Sequence, residues 1–289
     1  MRSQSAMEYL MTYGWAILVI AVILGVLFQL GVFSTASFAP KAKAGQCQVQ
    51  VVGSGSSTTH QLAGLCSPEL PQFVAVFDGG SSNVVVNNPI NIGPARITVS
   101  AWVYPTLLTG SRREVVGNDN TPHDSFFMSL NANGNAEGDF WINNGGWVGP
   151  VVSQNNAFPL DTWTFITGVY DGSQLTLYVN GQLAGGPCCS TSGSLTQPPG
   201  SISIGSDTSS QWFQGDIANV QIYNTSLSAA EILALYQEGI GGAPVRPENI
   251  TEWWPLNGNT NDYGGNNQNG QNMGTGFSGT WADTYSGPT

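Results

Sequence analysis

Charged side chains are scarce in this sequence, and cations are the scarcest of them. Only 9% of the 289 residues are charged, with seven Lys and Arg against eighteen Asp and Glu, so the formal net charge is −11. Residues 114–245 contain neither Lys nor Arg. Proteins bind nucleic acids through clustered cations that contact the phosphates. The composition therefore excludes nucleic acid as a partner.

Histidine and cysteine are also rare. The two histidines are isolated, and none of the four cysteines belongs to a C-x-x-C pair, so the spacing typical of a zinc site is missing. In an extracellular protein such cysteines form disulfides. A bond between Cys47 and Cys66 would close a small loop, whereas the adjacent Cys188 and Cys189 either bond to each other or pair elsewhere. The sequence does not choose among the three pairings.

Glycine, aromatic and small polar residues are abundant instead, with 37 Gly and 10% aromatics in a chain that is 41% apolar. Short alternating segments such as ITVSAWVYP, SFFMSLN, GDFWIN and SISIGS follow one another at close intervals. Asp171-Gly172 and Asn180-Gly181 predict two-residue hairpin turns, because these residues tolerate positive φ. The pattern predicts a mainly β domain built as a two-sheet sandwich.

The N-terminus has a different composition. Residues 9–33 contain no charge, and as a helix they would extend about 37 Å, enough to span a bilayer. Arg2 precedes this segment and predicts that the bulk of the chain lies outside the membrane. A cleaved secretory signal would have a shorter apolar core and no acid within it.

The stretch RSQSAMEYL, followed by the apolar run, resembles the N-terminus of archaeal type IV pilins, which carry a class III signal peptide. The resemblance implies cleavage by a prepilin peptidase between Ser3 and Gln4. Glu8 then becomes the fifth residue of the mature chain, where the family has a glutamate. Residues 1–3 are thus expected to be the signal peptide and residues 4–33 a transmembrane helix that later forms the core of a filament.

Physical chemistry agrees with that expectation. A carboxylate near the edge of a bilayer is costly unless it is paired, and the new α-amino group of a neighbouring subunit would pair with Glu8. Gly and Ala within the segment would allow helices to approach closely. The chain would then be its own partner in a helical homopolymer and reside in the membrane before assembly. The alternative is a non-polymerising membrane anchor in which Glu8 reaches the headgroups.

A second resemblance covers residues 73–242. The segments FDGG, TVSAWVYP, WTFITGVYDGSQLTLYVNGQLAG, SISIG and FQGDIANVQIYNTSLSAAEILALYQEG occur in the order found in laminin-G-like domains of the concanavalin A-like lectin/glucanase superfamily. The resemblance implies a jelly-roll β-sandwich that ends in a short helix. Ser228 and Glu231 form the capping-box pattern that would begin this helix, with Gly239 ending it. Residues 34–72 are expected to form a neck that contains the possible disulfide hairpin.

Enzyme activity is not expected. Glycosidases of the superfamily carry the pattern Glu-x-Asp-x-x-Glu, and Glu137-Gly-Asp139 begins this pattern, but Ile142 occupies its third acidic position. Hydrolysis needs an acid and a base at a fixed separation, and the sequence offers no other catalytic arrangement.

Binding chemistry is the better expectation. Laminin-G-like domains often hold a structural Ca²⁺ through carboxylate and carbonyl oxygens, which makes Asp78 and Asp216 candidate ligands, although each could equally cap a turn. Trp141, Trp147 and Trp212 are candidates for stacking on sugars, although core packing would explain them as well. Asn224-Thr-Ser and Asn249-Ile-Thr are candidate N-glycosylation sequons.

The C-terminal extension, residues 243–289, has an unexpected pattern. ITEWWPLNGNTNDYGGNNQNG resembles the opening strand and loop of a laminin-G-like domain, which nothing before residue 73 supplies. The tail either begins a truncated second domain or completes a sandwich, its own or that of a neighbour. Completion is the expectation, and Asp262 would then join the calcium candidates.

The sequence thus predicts a surface-filament subunit with an outward-facing laminin-G-like head that works by adhesion or glycan binding. The alternative is a membrane-anchored surface lectin, and a glycan-active enzyme is the third hypothesis.

Overall fold

The computed structural model describes residues 18–22, 47–53, 56–62, 71–87, 95–110, 112–118, 125–131, 135–196, 201–207, 210–264 and 266–288. For 47–53 and 56–62 it describes the backbone alone. Residues 18–22 are helical. The predicted processing residues Ser3, Gln4 and Glu8 lie outside the described residues, and so does Cys66. Within the ranges given above, no helix is long and apolar enough to cross a membrane.

Apart from the helical residues 18–22, the described chain forms one α-helix, a short 3-10 helix and seventeen strands. The strands are β1 (Cys47–Gly53), β2 (Ser56–Leu62), β3 (Val74–Asp78), β4 (Asn83–Val86), β5 (Ile97–Pro105), β6 (Arg112–Gly117), β7 (Phe126–Asn131), β8 (Glu137–Asn143), β9 (Trp147–Val152), β10 (Thr164–Tyr170), β11 (Leu175–Val179), β12 (Gln182–Cys188), β13 (Ile202–Ile204), β14 (Gln214–Tyr223), β15 (Ile250–Trp254), β16 (Gln271–Met273) and β17 (Gly276–Ser278). The helix α1 is Ala229–Glu238, and the 3-10 helix is Trp281–Thr284.

Two antiparallel sheets form the predicted sandwich. Sheet 1 has the order β12-β11-β10-β5-β14-β3-β17, with β15 also paired to β14, and sheet 2 has the order β16-β4-β13-β6-β7-β8-β9. Alternate residues of both sheets, such as Val99 and Ala101 in β5 and Phe140 and Ile142 in β8, enter one shared core and are fully buried. The prediction of a mainly β jelly roll is confirmed.

Sheet 1 is covered on its other side as well. The side chain of Trp102 in β5 points away from the shared core and stacks on Tyr236 of α1, with 5.7 Å between ring centroids. The 3-10 helix adds Trp281 to the same second cluster. With both faces covered, β5 is almost entirely buried along its length. This explains why its sequence, ITVSAWVYP, is nearly continuously apolar.

The helix begins and ends as its sequence predicts. The Ser228 side chain accepts from the backbone N–H of Glu231, and the Glu231 carboxylate accepts from the backbone N–H of Ser228, so the capping box is complete. Gly239 follows the helix with φ of 81°. The short C-terminal helix is therefore confirmed, with Ile232 and Leu235 buried against sheet 1.

One of the two hairpin predictions is corrected. Asn180 and Gly181 form the predicted two-residue connection between β11 and β12, both with positive φ. The turn at Asp171 is longer: residues 171–174 connect β10 to β11, and the Asp171 carboxylate accepts from the backbone N–H groups of Ser173 and Gln174. An aspartate that caps its own turn favours this wider connection.

The tail adds strands to both sheets of the same chain. β15 pairs with residues 220–223 of β14, β16 pairs with β4, and β17 pairs with β3. β3 pairs with residues 214–217 of β14. β15 therefore lies beyond the end of β3, along the same edge of β14. Residues 250–254, which resemble the opening strand of a laminin-G-like domain, thus lie in sheet 1 of their own chain.

The neck segment contains the hairpin of β1 and β2, whose seven pairs run from Cys47 opposite Leu62 to Gly53 opposite Ser56. The proposed bond between Cys47 and Cys66 involves side chains outside the described residues.

Candidate functional site

The candidate site is the face of sheet 2 that is turned away from the shared core. In β7 and β8 the residues Phe126, Met128, Phe140 and Ile142 enter the core. Because side chains alternate along a strand, the residues between them, including Phe127 and Trp141, form the opposite face. This surface is called the outer face below.

Three aromatic rings meet on the outer face. Phe127 stacks on Trp141 at 5.7 Å between centroids and meets Trp147 edge-on at 5.0 Å. Trp141 and Trp147 lie nearly perpendicular to each other, at 86° and 6.4 Å. Phe127 is buried beneath them, whereas Trp147 is 39% exposed. The three rings are called the aromatic cluster, and its two tryptophans form an L-shaped surface that is open to solvent at Trp147.

A row of polar side chains runs beside the aromatic cluster. Glu114, Ser129 and Asp139 lie opposite one another on β6, β7 and β8, and the Ser129 hydroxyl donates to the Asp139 carboxylate. Asp139 is 8% exposed, and Glu114 and Ser129 are fully buried. Burial raises the pKa of the Asp139 carboxyl above its ordinary value, while the Ser129 hydrogen bond and the charge of Arg112 act in the opposite direction.

Arg112 links the polar row to the aromatic cluster. Its guanidinium carbon lies 3.8 Å from the centroid of the Phe127 ring, within cation–π range. The same guanidinium pairs with Glu114 at 3.5 Å between Nη2 and Oε2 and donates to Gln211. The outer face thus combines exposed aromatic faces with fixed hydrogen-bonding groups. Sugar rings are bound by such a combination, because their C–H faces pack on aromatic rings while their hydroxyls need polar partners.

The three predicted tryptophans divide into two groups. Trp141 and Trp147 belong to the aromatic cluster, and their ring contacts are with each other and with Phe127. Trp212 lies on the loop before β14, where its carbonyl accepts from Arg113 at 3.1 Å. It is half-buried and belongs to none of the three ring pairs of the cluster.

The partial glycosidase pattern on β8 has no carboxylate at its third position. Ile142, at its third position, is fully buried in the shared core, where a carboxylate would be desolvated. Gly138 also faces the interior, because an added Cβ would lie 2.6 Å from the Phe158 ring. Asp139 remains on the outer face, where Ser129 is its hydrogen-bond partner.

The three calcium candidates lie in three different local settings. Asp78 accepts from the backbone N–H groups of Gly80, Ser81 and Ser82, which lower the pKa of its carboxyl, so it caps the turn between β3 and β4. Asp216 lies opposite Val76 and Tyr104 within sheet 1. Asp262 follows β15 and accepts from three backbone N–H groups. Within the described ranges, no three His, Cys, Asp or Glu side chains come together as metal ligands.

The remaining predicted residues lie away from the outer face or at its edge. Cys188 and Cys189 are joined to each other, and both sulfurs lie near the carbonyl oxygen of Pro150 in β9. The two sequons meet at one place, because the Asn249 side-chain amide donates to Asn224 Oδ1 at 3.1 Å.

Sequence reasoning missed the partners that make the outer face a site. Phe127 and Ser129 stand on β7 and Arg112 stands on β6, and no linear motif connects them with Trp141 on β8. The available signal was the period of two in SFFMSLN and GDFWIN, which places Phe127 and Trp141 on the face opposite Met128 and Phe140. Only the order of strands brings those faces side by side.

Comparison with solved structures supports the fold. A heptameric SAP-like pentraxin from Limulus polyphemus is similar to this chain with a TM-score of 0.55 and 12% identity, over 73% of this chain and 97% of the pentraxin. A proposed carbohydrate-binding protein from Bacteroides ovatus is similar with a TM-score of 0.55 and 14% identity, over 77% of this chain and 66% of that protein. At these identities the likeness concerns the fold alone.

Comparison of sequences gives the family. No curated protein sequence matches the chain significantly. A family model described as the concanavalin A-like lectin/glucanases superfamily matches residues 78–233, more than half of the chain. The chain belongs to the concanavalin A-like lectin/glucanases superfamily.

Proposed function

We propose that the sandwich binds glycans on the outer face of sheet 2 and that the N-terminal segment displays it at the cell surface. The observation that carries the first part is the aromatic cluster, in which Trp147 is exposed at right angles to Trp141. An exposed tryptophan beside a half-buried one offers two faces to a sugar ring. The lectin-like fold supports the same function.

Polar groups near the cluster would orient the sugar. Asp139 accepts hydrogen bonds, and Arg112 is held over Phe127 by its contacts with Glu114 and Gln211. Because Arg112 already pairs with an acid and the chain carries a net charge of −11, neutral sugars suit this face better than sulfated or carboxylated ones. The sandwich works in this proposal by binding, without turnover.

A glycan-binding measurement on matched tryptophan variants tests the proposal. The full chain is screened on a glycan array, and the strongest neutral ligand is titrated by calorimetry. Trp147→Ala should weaken binding about tenfold or more, because it removes an exposed stacking face. Trp212→Ala, at a half-buried tryptophan outside the aromatic cluster, should leave the affinity within about twofold. Equal losses in both variants, or no binding by the wild-type chain, would refute glycan binding at the outer face.

The second part of the proposal concerns display in a filament. The chain would be cleaved before Gln4 and would assemble through residues 4–33 into a pilus-like homopolymer, with the sandwich facing outward. The observation in favour is the position of Glu8, five residues into the cleaved chain and directly before an uncharged run. The competing function is a surface lectin held by an uncleaved membrane anchor.

The mass of the N-terminal peptide, measured on protein from its own cells, separates these two forms of display. A chain that begins at Gln4 supports processing as a pilin, and Glu8→Ala should then abolish filaments while the sandwich remains folded. A chain that retains Met1 and tolerates Glu8→Ala would show a tethered lectin instead.

A further inference from the structure

The Cys188–Cys189 bond stands at the start of a loop that connects the two sheets. Residues 188–196, named the disulfide loop, begin at the last residue of β12, pass the turn between β10 and β11, and reach the end of β8 in sheet 2. Cys188 is paired with Leu175 of β11, so one half of the bond is fixed to sheet 1. The course of the loop is therefore set by the backbone of Cys189.

The disulfide loop ends against the segment that carries both tryptophans of the aromatic cluster. This segment, residues 141–147, is named the tryptophan hairpin and consists of the end of β8, a turn and the first residue of β9. The Asn144 side-chain amide donates to Thr191 Oγ1 at 2.8 Å. The backbone N–H of Thr196 donates to the carbonyl oxygen of Asn143 at 2.8 Å, and its hydroxyl donates to Oδ1 of the same residue at 3.2 Å. The loop thus holds the hairpin at two neighbouring residues.

The turn of the tryptophan hairpin projects from the sandwich. Gly145 and Gly146 are exposed, and a Cβ added at either would meet no atom of the described chain within 4 Å. Trp147, directly after the turn, is itself 39% exposed. Segments with few buried contacts open locally at low cost in free energy. The hydrogen bonds from the disulfide loop therefore restrain this hairpin, and with it the position of Trp147.

The bond also maintains an unusual backbone conformation at Cys189. Its φ is 61°, in the left-handed region that is unfavourable for a residue with a Cβ. A bond between neighbouring cysteines closes a ring around the peptide that joins them, and this ring restricts rotation at Cys189. When the bond is broken, Cys189 is free to return to negative φ. The loop would then leave β12 in another direction, and Thr191 and Thr196 would lose their partners in the hairpin.

We propose that the Cys188–Cys189 bond is a redox switch for the outer face of sheet 2, an inference that rests on the glycan binding proposed above. With the bond formed, the disulfide loop holds the tryptophan hairpin in the arrangement that binds a glycan. With the bond reduced, the hairpin is released and the two tryptophans no longer keep their mutual position. The switch thus regulates the site through the hairpin, without a contact between either cysteine and the sugar.

A small dithiol is the class of reductant that the switch requires. Both cysteines are partly exposed, so a thiolate of the dithiol can attack one of their sulfurs and form a mixed disulfide, which releases the other cysteine. The second thiol of the dithiol then displaces the remaining cysteine. The dithiol loses two electrons and two protons and becomes a disulfide, and the two cysteines gain them and become thiols.

Two measurements on the full chain, before and after treatment with dithiothreitol, test the proposal. In the first, the strongest neutral glycan from the array is titrated by calorimetry, and reduction should weaken its binding about fivefold. In the second, amide hydrogen exchange is followed by mass spectrometry. Exchange in residues 142–148 should become faster on reduction, whereas exchange in β5 at the centre of sheet 1 should not change. The second measurement needs no ligand and no substitution.

Two variants assign the response to this bond. The double change Cys188→Ser and Cys189→Ser should bind the glycan as weakly as the reduced wild-type chain and should ignore dithiothreitol. Cys47→Ser, at a cysteine outside the disulfide loop, is the matched control and should keep the full response. A response that persists in the double variant would overturn the proposal, because another cysteine would then cause it.

The outcomes separate the switch from the glycan-binding function. Equal glycan affinity in the oxidised and reduced chains, or unchanged exchange in the tryptophan hairpin, would overturn the switch and leave glycan binding intact. An oxidised chain that binds no glycan would refute the proposed function, and the switch would fall with it even if hydrogen exchange in the hairpin responds to dithiothreitol.

Discussion

The outward sides of the two sheets both carry tryptophans, but these differ in their exposure to solvent. On sheet 1, Trp102 lies beneath α1 and is 2% exposed, and Trp281 of the 3-10 helix, in the same cluster, is 3% exposed. On sheet 2, Trp147 is 39% exposed within its own ring cluster. Both sides use edge-on and stacked ring contacts. Tryptophan therefore packs in a buried cluster on sheet 1, whereas on sheet 2 it is accessible to a ligand.

The two sides differ because α1 and the tail cover the outward side of sheet 1. The helix begins directly after the longest strand of sheet 1 and folds back on it, because Ile232 and Leu235 need an apolar partner. The last described residues add Tyr285, whose hydroxyl accepts from the backbone N–H of Ile240. An aromatic patch left open beside a covered one is informative, because exposed apolar surface in a folded protein marks a binding site more often than a packing site.

The largest expected effect is on the covered side. Trp102→Ala removes a ring that contacts Phe165, Tyr236 and Tyr285, and it should lower the free energy of unfolding by about 3–5 kcal/mol. Urea unfolding followed by far-UV circular dichroism measures the loss. Glycan affinity of the folded fraction should not change. A loss below about 1 kcal/mol would show that the cluster beneath α1 is not a packed core.

Charge on sheet 1 gives a pH test. Burial raises the pKa of Asp216 to about 6, above its value of about 3.9 in an unfolded chain. The folded state therefore holds its proton more tightly, and the stability that this proton provides is lost as pH rises from about 4 through 6. Asp216→Asn should be more stable than wild type at pH 7, by at most about 3 kcal/mol, and similar to it at pH 3.5. If the unfolding temperatures of wild type and Asp216→Asn changed with pH in the same way, the raised pKa of Asp216 would be contradicted.

Trp147→Ala should have a small effect on stability, within about 1 kcal/mol, because the ring is partly in water already. The same urea unfolding experiment as for Trp102→Ala provides the comparison. A loss as large as that of Trp102→Ala would show that the outer face of sheet 2 is a packing surface, and the glycan proposal would lose its main support.

The smallest expected effect concerns the bond between Cys188 and Cys189. Neighbouring cysteines close almost no loop, so the chain-entropy gain from the bond is small. The double change Cys188→Ser and Cys189→Ser should alter the free energy of unfolding by less than about 1 kcal/mol. A larger loss, with equal loss in reduced wild-type protein, would mean that the bond positions the neighbouring strand β9.

Much of the fold follows from local patterns, whereas little of the site does. Alternation in SFFMSLN and GDFWIN predicts strands, and Ser228 with Glu231 predicts a helix start, because each depends on neighbours within four residues. The width of the turn at Asp171 was misjudged, because a two-residue motif does not show which backbone groups the side chain will cap. The three aspartates named as calcium candidates come from a resemblance, and the structure shows that Asp78 caps a turn, which no spacing in the sequence predicted.

The sequence by itself determined the sandwich and the short helix, since strand period and helix capping are properties of the chain. Only the tertiary structure decided which faces are covered. It placed Phe127 beside Trp141, joined Glu114, Ser129 and Asp139 across three strands, and brought the tail onto β14. Pairings between strands depend on contacts between residues distant in sequence, and no local pattern records them.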